Sequence, residues 1–322
     1  MRSVRDTVLV AGEALGRYGF PEGHPWGVDR YGHFMQALRA QELEGRLRVQ
    51  RPREALRYEL ETFHQPAYVS LVEQRSALGQ GFLDAGDTPA YRGVFEAASA
   101  VVGGALVAME EIMEGRAKRG FVPIAGLHHA APGTASGFCV FNDIGVVIQA
   151  LRHRYGVQRI AYVDIDAHHG DGVYYPFEHD PLLCFADIHE DGRYLFPGTG
   201  AAHETGIGPA QGLKLNIPIA PSSRDDVFWA AWERVEAHVA AFRPEFIILQ
   251  AGADSLEGDP LTHLCFSEAA HAHAAARLAD LADTHCQGRL LGLGGGGYNR
   301  SNLARAWTSV VRSFLERSDA AP

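Results

Sequence analysis

The chain has 322 residues, of which 46% are hydrophobic and 21% charged, so it can bury a sizeable core and is not disordered as a whole. Its 29 basic against 39 acidic residues give a net charge of -10, which argues against nucleic acid or an anionic membrane as the main partner. Four widely spaced cysteines form no CxxC pair and no long apolar run occurs, so the sequence predicts a soluble cytoplasmic protein without a disulfide framework.

The predicted elements alternate between helical stretches and short apolar runs rich in β-formers. Helices are predicted at Glu54–Thr62, Arg92–Glu114, Asn142–Tyr155, Asp225–Phe242 and Ser267–His285, after a mostly helical beginning. Strands are predicted at Phe121–Leu127, Arg159–Ile165, Leu182–Ile188, Phe246–Ala251 and Arg289–Leu293. Strands separated by helical lengths are typical of βαβ units with a parallel sheet buried on both faces. With no repeat or linker, the prediction is one α/β domain over residues 1–322.

Polar or glycine residues follow each predicted strand. His128 and His129 follow the first, Asp166 and His168 the second, and His189 the third. The last two strands are followed by Asp254 and by a run of four glycines with a tyrosine. Because ligands of open parallel sheets bind at the carboxyl ends of the strands, this edge is the predicted functional site.

The strongest local motif is Asp-Ile-Asp-Ala-His-His-Gly-Asp-Gly at residues 164–172. Alternation at a strand end puts Asp164, Asp166 and His168 on one face. Asp166 and His168, joined by Asp254, form a set of three ligands, which is typical of catalytic zinc sites that keep one position open.

Two further motifs supply groups for acid–base chemistry. The His128–His129 pair contains a candidate general base, and Asp164 and Asp171 are available to fix the imidazole tautomers. Tyr298 follows Gly294–Gly297, a run that lacks the phosphate-loop spacing; a tyrosine on such a turn is able to donate a hydrogen bond to a developing oxyanion.

Taken together, these segments resemble the zinc-dependent histone deacetylase superfamily, and most closely its bacterial acetoin-utilisation-type and class I-like members. The resemblance runs from about His24 to Trp307. The matching motifs are Gly126–Asn142, Val163–Gly172, Phe196–Gly200, Gln250–Pro260 and Leu293–Asn299. It implies an eight-stranded parallel sheet flanked by helices, related to arginase, and removal of acetyl or other short acyl groups from the ε-amino group of lysine.

The resemblance also implies roles for single residues. Asp166, His168 and Asp254 are the expected ligands of Zn²⁺, with Fe²⁺ as an alternative in the cell. His129 with Asp171 is the expected general base, and His128 with Asp164 the second histidine. Tyr298 is expected to polarise the substrate carbonyl.

Other implied positions surround that centre. Asp87 and Leu261 are expected at the rim, Gly137, Phe138 and Phe196 along the acyl-lysine tunnel, and Arg30 at an internal exit channel for acetate. Members of the family bind potassium near the position of Asp164. Asp187 stands here where a small hydroxyl residue is expected, so this potassium site is altered or more strongly anionic.

Three alternatives stay open. An arginase-like binuclear manganese hydrolase would need a second carboxylate two places after Asp254, where this chain has Leu256. An acetylpolyamine or another small amide competes with acyl-lysine as the substrate. A non-catalytic acyl-group binder would keep the fold without the reaction. Five other histidines are expected to be solvated: His203, His238, His271, His273 and His285.

Overall fold

The computed structural model describes residues 6–21 and 23–319, so both ends of the predicted domain lie outside the described residues. Within that part, the strands are β1 (Thr7–Val10), β2 (Arg48–Gln50), β3 (Arg119–Val122), β4 (Ile160–Asp164), β5 (Leu183–Glu190), β6 (Lys214–Ile219), β7 (Phe246–Gln250) and β8 (Leu290–Leu293). The α-helices are α1 (Glu13–Gly16), α2 (Arg30–Ala40), α3 (Arg57–Leu60), α4 (Pro66–Leu78), α5 (Val94–Met113), α6 (Asp143–Tyr155), α7 (Asp171–Tyr174), α8 (Asp225–Phe242), α9 (Glu268–His285) and α10 (Arg300–Asp319).

The strands form one parallel sheet of eight strands in the order β2-β1-β3-β8-β7-β4-β5-β6. This confirms the predicted α/β class and sheet. Every residue of the strands β3, β4, β5, β7 and β8 is buried. Because successive side chains point to opposite faces, complete burial means that both faces of the sheet are covered.

Two groups of helices provide the cover. The long apolar helix α5 packs against α6, β1 and β3, while α10 packs against α2 and α9, and α8 against α9 and β5. Five predicted strands lie within a few residues of their observed positions, and α8 has the predicted bounds. The predicted helix at 54–62 is shorter, since only α3 is α-helical there.

Asn142, which precedes α6, links this framework to the functional edge. Its side-chain oxygen accepts a hydrogen bond from the Gly145 amide at 2.9 Å and so caps the helix. Its side-chain amide donates to the carbonyl oxygens of Ala130 and Gly172, at 2.9 and 3.0 Å. One buried side chain thereby joins the loop that follows β3 to the short helix α7 that follows β4.

A search of the described helices for one both long and apolar enough to cross a membrane finds none.

Candidate metal centre and active site

The chemistry-bearing side chains converge at the carboxyl ends of the four central strands. In sheet order β3, β8, β7 and β4 lie side by side, and their following loops carry His128 and His129, Tyr298, Asp254, and Asp166 with His168 respectively. All of these residues except Tyr298 are buried, and Tyr298 is partly buried. The structure therefore brings together residues that are far apart in the sequence.

Asp166, His168 and Asp254 form the candidate metal group. Their potential ligand atoms all lie within 4.8 Å of one another, and no other group of this kind is found among the described residues. The Nδ1 atom of His168 is 3.0 Å from Oδ1 of Asp166 and 3.4 Å from Oδ2 of Asp254. This places two carboxylates and one imidazole around a single position.

Neighbouring groups fix the two carboxylates. Oδ2 of Asp166 accepts hydrogen bonds from the Gln250 side-chain amide at 2.9 Å and from the Gly296 amide at 3.0 Å. Oδ1 of Asp254 accepts one from the Ala167 amide at 2.9 Å. The side chains are thus oriented by contacts outside the metal group itself.

One carboxylate oxygen of this group is left without a partner. Oδ2 of Asp254 is buried and accepts no hydrogen bond from the described residues. Burial and the adjacent Asp166 carboxylate raise the pKa of Asp254 to about 7. A buried carboxylate with an unused oxygen is costly unless a cation compensates it, so these residues fit a divalent ion. Aspartate oxygens and an imidazole nitrogen are ligands that zinc accepts.

Each of the paired histidines contacts its own aspartate. His128 Nδ1 lies 2.8 Å from Oδ2 of Asp164, and His129 Nδ1 lies 2.6 Å from Oδ1 of Asp171. The two imidazole rings are 4.1 Å apart between centroids. Burial and the neighbouring His128 lower the pKa of His129, with Asp171 opposing this shift. A neutral His129 at neutral pH is able to accept a proton.

Tyr298 is held by the glycine turn and its surroundings. Its amide donates to Oδ2 of Asp259 at 2.7 Å. The buried Arg30 donates to the carbonyl oxygens of Gly297 and Gly295, at 2.9 and 2.7 Å. Gly297 has a φ of 119°, which side chains rarely adopt, so glycine is required there. Burial and the charge of Asp254 raise the pKa of the Tyr298 hydroxyl well above its ordinary value, which keeps its proton in place.

The predicted tunnel residues also lie beside this centre. The ring of Phe196 is 5.1 Å from that of His129, and the ring of Phe138 is 5.9 Å from that of Tyr298. A Cβ added to Gly137 would lie 2.5 Å from the His129 ring, so a side chain there would displace the candidate base. Phe196 is 43% exposed, which is a large value for an aromatic side chain and suits a wall of an open channel.

The two predicted rim residues are attached to these walls through hydrogen bonds. The Thr88 hydroxyl donates to Oδ1 of Asp87 at 3.1 Å and accepts from the Phe138 amide at 3.1 Å. The Leu261 amide donates to Oδ1 of Asp259, whose other oxygen accepts from Tyr298. Asp87 and the partly exposed Leu261 are thus coupled to Phe138 and Tyr298 respectively.

The region around Asp164 and Asp187 carries the potassium prediction. Oδ2 of Asp164 lies within hydrogen-bond distance of the Tyr162 hydroxyl and His128. Asp187 accepts from the Gly170 amide at 2.9 Å and lies 2.7 Å from Nδ1 of His189. The contacts of Asp187 with His189 and Gly170 account for both of its oxygens. Potassium at this position stays a prediction.

Sequence reasoning assigned no role to Gln250 or Asp259, although both lie within the matched motifs. Gln250 precedes Asp254 by four residues at the end of β7 and contacts Asp166, and Asp259 fixes Tyr298. The strand-end alternation that singled out Asp166 would also have drawn attention to Gln250.

The prediction that His271 is solvated is wrong: it is fully buried, and its Nε2 atom lies 2.8 Å from the Gly252 carbonyl oxygen, which steadies the loop before Asp254.

Comparisons with known proteins agree with this geometry. The acetoin utilization protein AcuC of Bacillus subtilis is 37% identical over 316 residues, covering 95% of this chain and 81% of that protein. AcuC of Staphylococcus aureus is 34% identical over 321 residues, covering 97% and 82%. The crystal structure of the HDA15 HD domain superposes with a TM-score of 0.89 at 28% identity, covering 97% of this chain and 88% of that one. The model of the histone deacetylase domain matches residues 24–314, and the chain therefore belongs to the histone deacetylase family, whose members are metal-dependent deacetylases.

Proposed function

We propose that this protein is a zinc-dependent deacetylase that removes acetyl, or another short acyl group, from the ε-amino group of lysine in proteins or peptides. The observation that carries the proposal is a single arrangement: Asp166, His168 and Asp254 lie around one point, with His129 and Tyr298 lining the same small cavity. A metal ligand set, a base and an oxyanion donor are together the groups that metal-assisted hydrolysis of an amide uses.

Asp166, His168 and Asp254 would hold the ion, which, when bound, polarises the amide carbonyl and lowers the pKa of water. His129 accepts the proton of the attacking water, and Asp171 orients its ring and stabilises the imidazolium that forms. The water oxygen bonds to the carbonyl carbon. The former carbonyl oxygen becomes negatively charged and accepts a hydrogen bond from the Tyr298 hydroxyl.

The second half of the reaction breaks the carbon–nitrogen bond. The leaving amine takes up a proton from an imidazolium, and the acyl group leaves as a carboxylic acid anion. His128, paired with Asp164, lies beside His129 and supplies positive potential or the proton itself. Arg30, buried behind the glycine turn, is proposed to serve the exit channel for acetate.

The substrate preference is proposed from the tunnel and its rim. Phe138 and Phe196 offer apolar walls that suit the four-carbon stem of a lysine, with Gly137 between Phe138 and the base. Leu261 at the rim is apolar and offers no carboxylate to a second ammonium group. We therefore favour acyl-lysine over an acetylpolyamine or another small amide, which is the alternative substrate class.

Two other readings of the fold receive less support. A binuclear manganese centre lacks a ligand, because the buried Leu256 stands where a further carboxylate is needed. A non-catalytic binder would not require His129 and Tyr298 at the same cavity as the metal group. Fe²⁺ is proposed as a substitute for Zn²⁺ in the cell, since the same ligands accept it. Potassium near Asp164, a cytoplasmic location and a single domain over the whole chain also remain proposals.

The test compares substrates on one enzyme preparation. Chelator-treated protein is reloaded with Zn²⁺ or Fe²⁺ and given an acetyl-lysine peptide and N-acetylputrescine at matched concentrations. We expect metal-dependent release of acetate, with the higher kcat/KM on the peptide. A higher kcat/KM on N-acetylputrescine would show that acetylpolyamines, rather than acyl-lysine peptides, are the preferred substrate class. Hydroxamate binding without turnover of either substrate would support the non-catalytic binder.

A further inference from the structure

The cavity beside the candidate metal group is very small. It has a volume of about 10 Å³, roughly the space of one water molecule, and ten residues line it. Under the proposed function, the acyl group of the substrate must enter this space, because two of the metal ligands, Asp166 and His168, line it together with the base and the tyrosine. The size of this cavity therefore limits the acyl group that the enzyme can hydrolyse.

Few of the residues that line the cavity have side chains that can determine its volume. Five lining residues carry the proposed chemistry, and three are glycines. The remaining two are Cys139, which is small, and Trp26, which has the largest side chain of all. A side chain at Gly296 is excluded, because an added Cβ would collide with the carboxylates of Asp254 and Asp166. Trp26 is thus the large side chain that can be replaced by a smaller one without removing a group that takes part in the reaction.

The Trp26 indole is held firmly in place. It is 2% exposed and packs edge-on against Tyr18 at 5.8 Å and Tyr298 at 6.2 Å between ring centroids. The guanidinium carbon of Arg30 lies 3.9 Å from the centre of its ring. Arg30 is itself fixed by its hydrogen bonds to Gly295 and Gly297, so the indole cannot swing aside without disturbing a buried cation–π contact.

We propose that Trp26 is the specificity-determining residue for acyl length: its indole fills the end of the acyl cavity and restricts the enzyme to acetyl groups. The inference rests on the proposed function and narrows it from short acyl groups in general to acetyl. A longer acyl chain needs volume that close-packed side chains around a fixed indole do not yield.

Trp26 also carries an unused donor. Its Nε1–H is buried and has no hydrogen-bond partner among the described residues. A phenylalanine retains most of the ring volume but removes this donor, whereas an alanine removes both. The pair of substitutions therefore separates the effect of size from that of the hydrogen-bond donor.

The experiment measures kcat/KM for acetyl-, propionyl- and butyryl-lysine versions of one peptide, and for the same acyl series on putrescine. Zinc-loaded wild type, Trp26→Ala and Trp26→Phe are compared, and thermal unfolding confirms that each variant is folded. We expect wild type to prefer acetyl over butyryl by at least about tenfold, because one or two extra methylenes in a tight pocket discriminate on this scale. In Trp26→Ala the butyryl-to-acetyl ratio should rise by about tenfold or more, and Trp26→Phe should keep the wild-type order.

Each outcome decides the proposal. A wild-type enzyme that hydrolyses butyryl as well as acetyl, or a Trp26→Ala variant with an unchanged ratio, overturns it. An equal rise in the ratio for Trp26→Phe overturns the assignment to size. If Trp26→Ala does not fold, Trp26→Leu takes its place and should raise the ratio to an intermediate degree. Wild type inactive on both acyl series would count against the proposed function instead, and the two failures are thereby distinguished.

Discussion

Two groups of buried charge in this protein are built in opposite ways. Glu59 is nearly fully buried, and both of its oxygens accept hydrogen bonds from Arg53, at 2.6 and 2.8 Å. Arg154 and the Leu56 amide add further hydrogen bonds at 2.6 and 2.8 Å. The protein itself supplies all the positive charge that this carboxylate needs.

The metal group receives no such compensation. Asp166 and Asp254 share the imidazole of His168, the second imidazole, that of His128, lies 3.9 Å from Asp166, and one oxygen of Asp254 has no partner among the described residues. Glu59 is thus satisfied by the chain itself and fits a structural role, whereas the two buried carboxylates of the metal group need a cation to compensate their charge.

Asp254→Asn is expected to have the largest effect. Activity should fall by about a thousandfold or more, as for loss of a residue that acts as part of a catalytic unit. In chelator, by contrast, the variant should unfold at a higher temperature than wild type, because a poorly compensated buried charge is removed. Turnover assays and thermal unfolding with zinc and with chelator measure both effects.

Asp226→Asn is the matched control, since Asp226 is exposed at the start of α8. It should change neither quantity. A wild type that is more stable than Asp254→Asn even in chelator would show that the chain alone satisfies Asp254, and the contrast between the two groups would be lost.

Tyr298→Phe should lower kcat by about a hundredfold or more, because one oxyanion donor contributes about 2.7–4 kcal/mol to the transition state. The ring contacts with Phe138 and Trp26 remain, so substrate binding should be largely retained. Steady-state kinetics separates kcat from KM. Near-wild-type turnover would remove Tyr298 from the mechanism.

Gln250→Leu should weaken zinc binding by about tenfold to a hundredfold, because the amide that orients Asp166 is lost. Competition with a chromophoric chelator measures the affinity. Gln36→Leu, at an exposed position of α2, is the control. Equal affinities for the two variants would mean that Asp166 needs no support from Gln250.

Glu59→Gln should leave activity unchanged and lower the free energy of unfolding by about 1–3 kcal/mol, since Arg53 and Arg154 lose their buried carboxylate partner and keep only Glu110. Burial raises the pKa of Glu59, but the hydrogen bonds from Arg53 and Arg154 outweigh it and bring the pKa down to about 2 from 4.5. A lowered pKa stabilises the folded state once the group is ionised in the unfolded chain.

The stability difference between wild type and Glu59→Gln should therefore be complete above about pH 4.5 and shrink as the pH falls towards about 2. Denaturant titrations at several pH values test this. The control is Glu61→Gln, which loses only a more exposed pair with Arg57 and should have an effect of about 0.5 kcal/mol or less. A pH-independent difference would contradict the pairing of Glu59 with Arg53 and Arg154.

Elements with a strong pattern could be predicted from the sequence, and those with mixed composition could not. The helix α8 was predictable because its amphipathic run is long, whereas β6 escaped because Lys214, Asn216 and Pro218 interrupt its apolar residues. The strands β1 and β2, with four and three residues, are too short to show a period.

The same distinction holds for the site. Asp166, His168 and Asp254 could be named because strand-end alternation and motif resemblance both point to them. Trp26 could not, because its contacts with Arg30 and Tyr298 join distant parts of the chain through packing rather than spacing. His271 was misassigned because a polar residue on an alanine-rich helix carries no sign that the helix covers it completely.

The most direct test of the central claim is an anomalous difference map at the zinc edge from crystals of the zinc-loaded protein. We expect one strong peak per chain, about 2.0–2.2 Å from the imidazole nitrogen of His168 and from a carboxylate oxygen of each of Asp166 and Asp254. A peak that is absent from this position, in crystals grown from protein with full deacetylase activity, would contradict it.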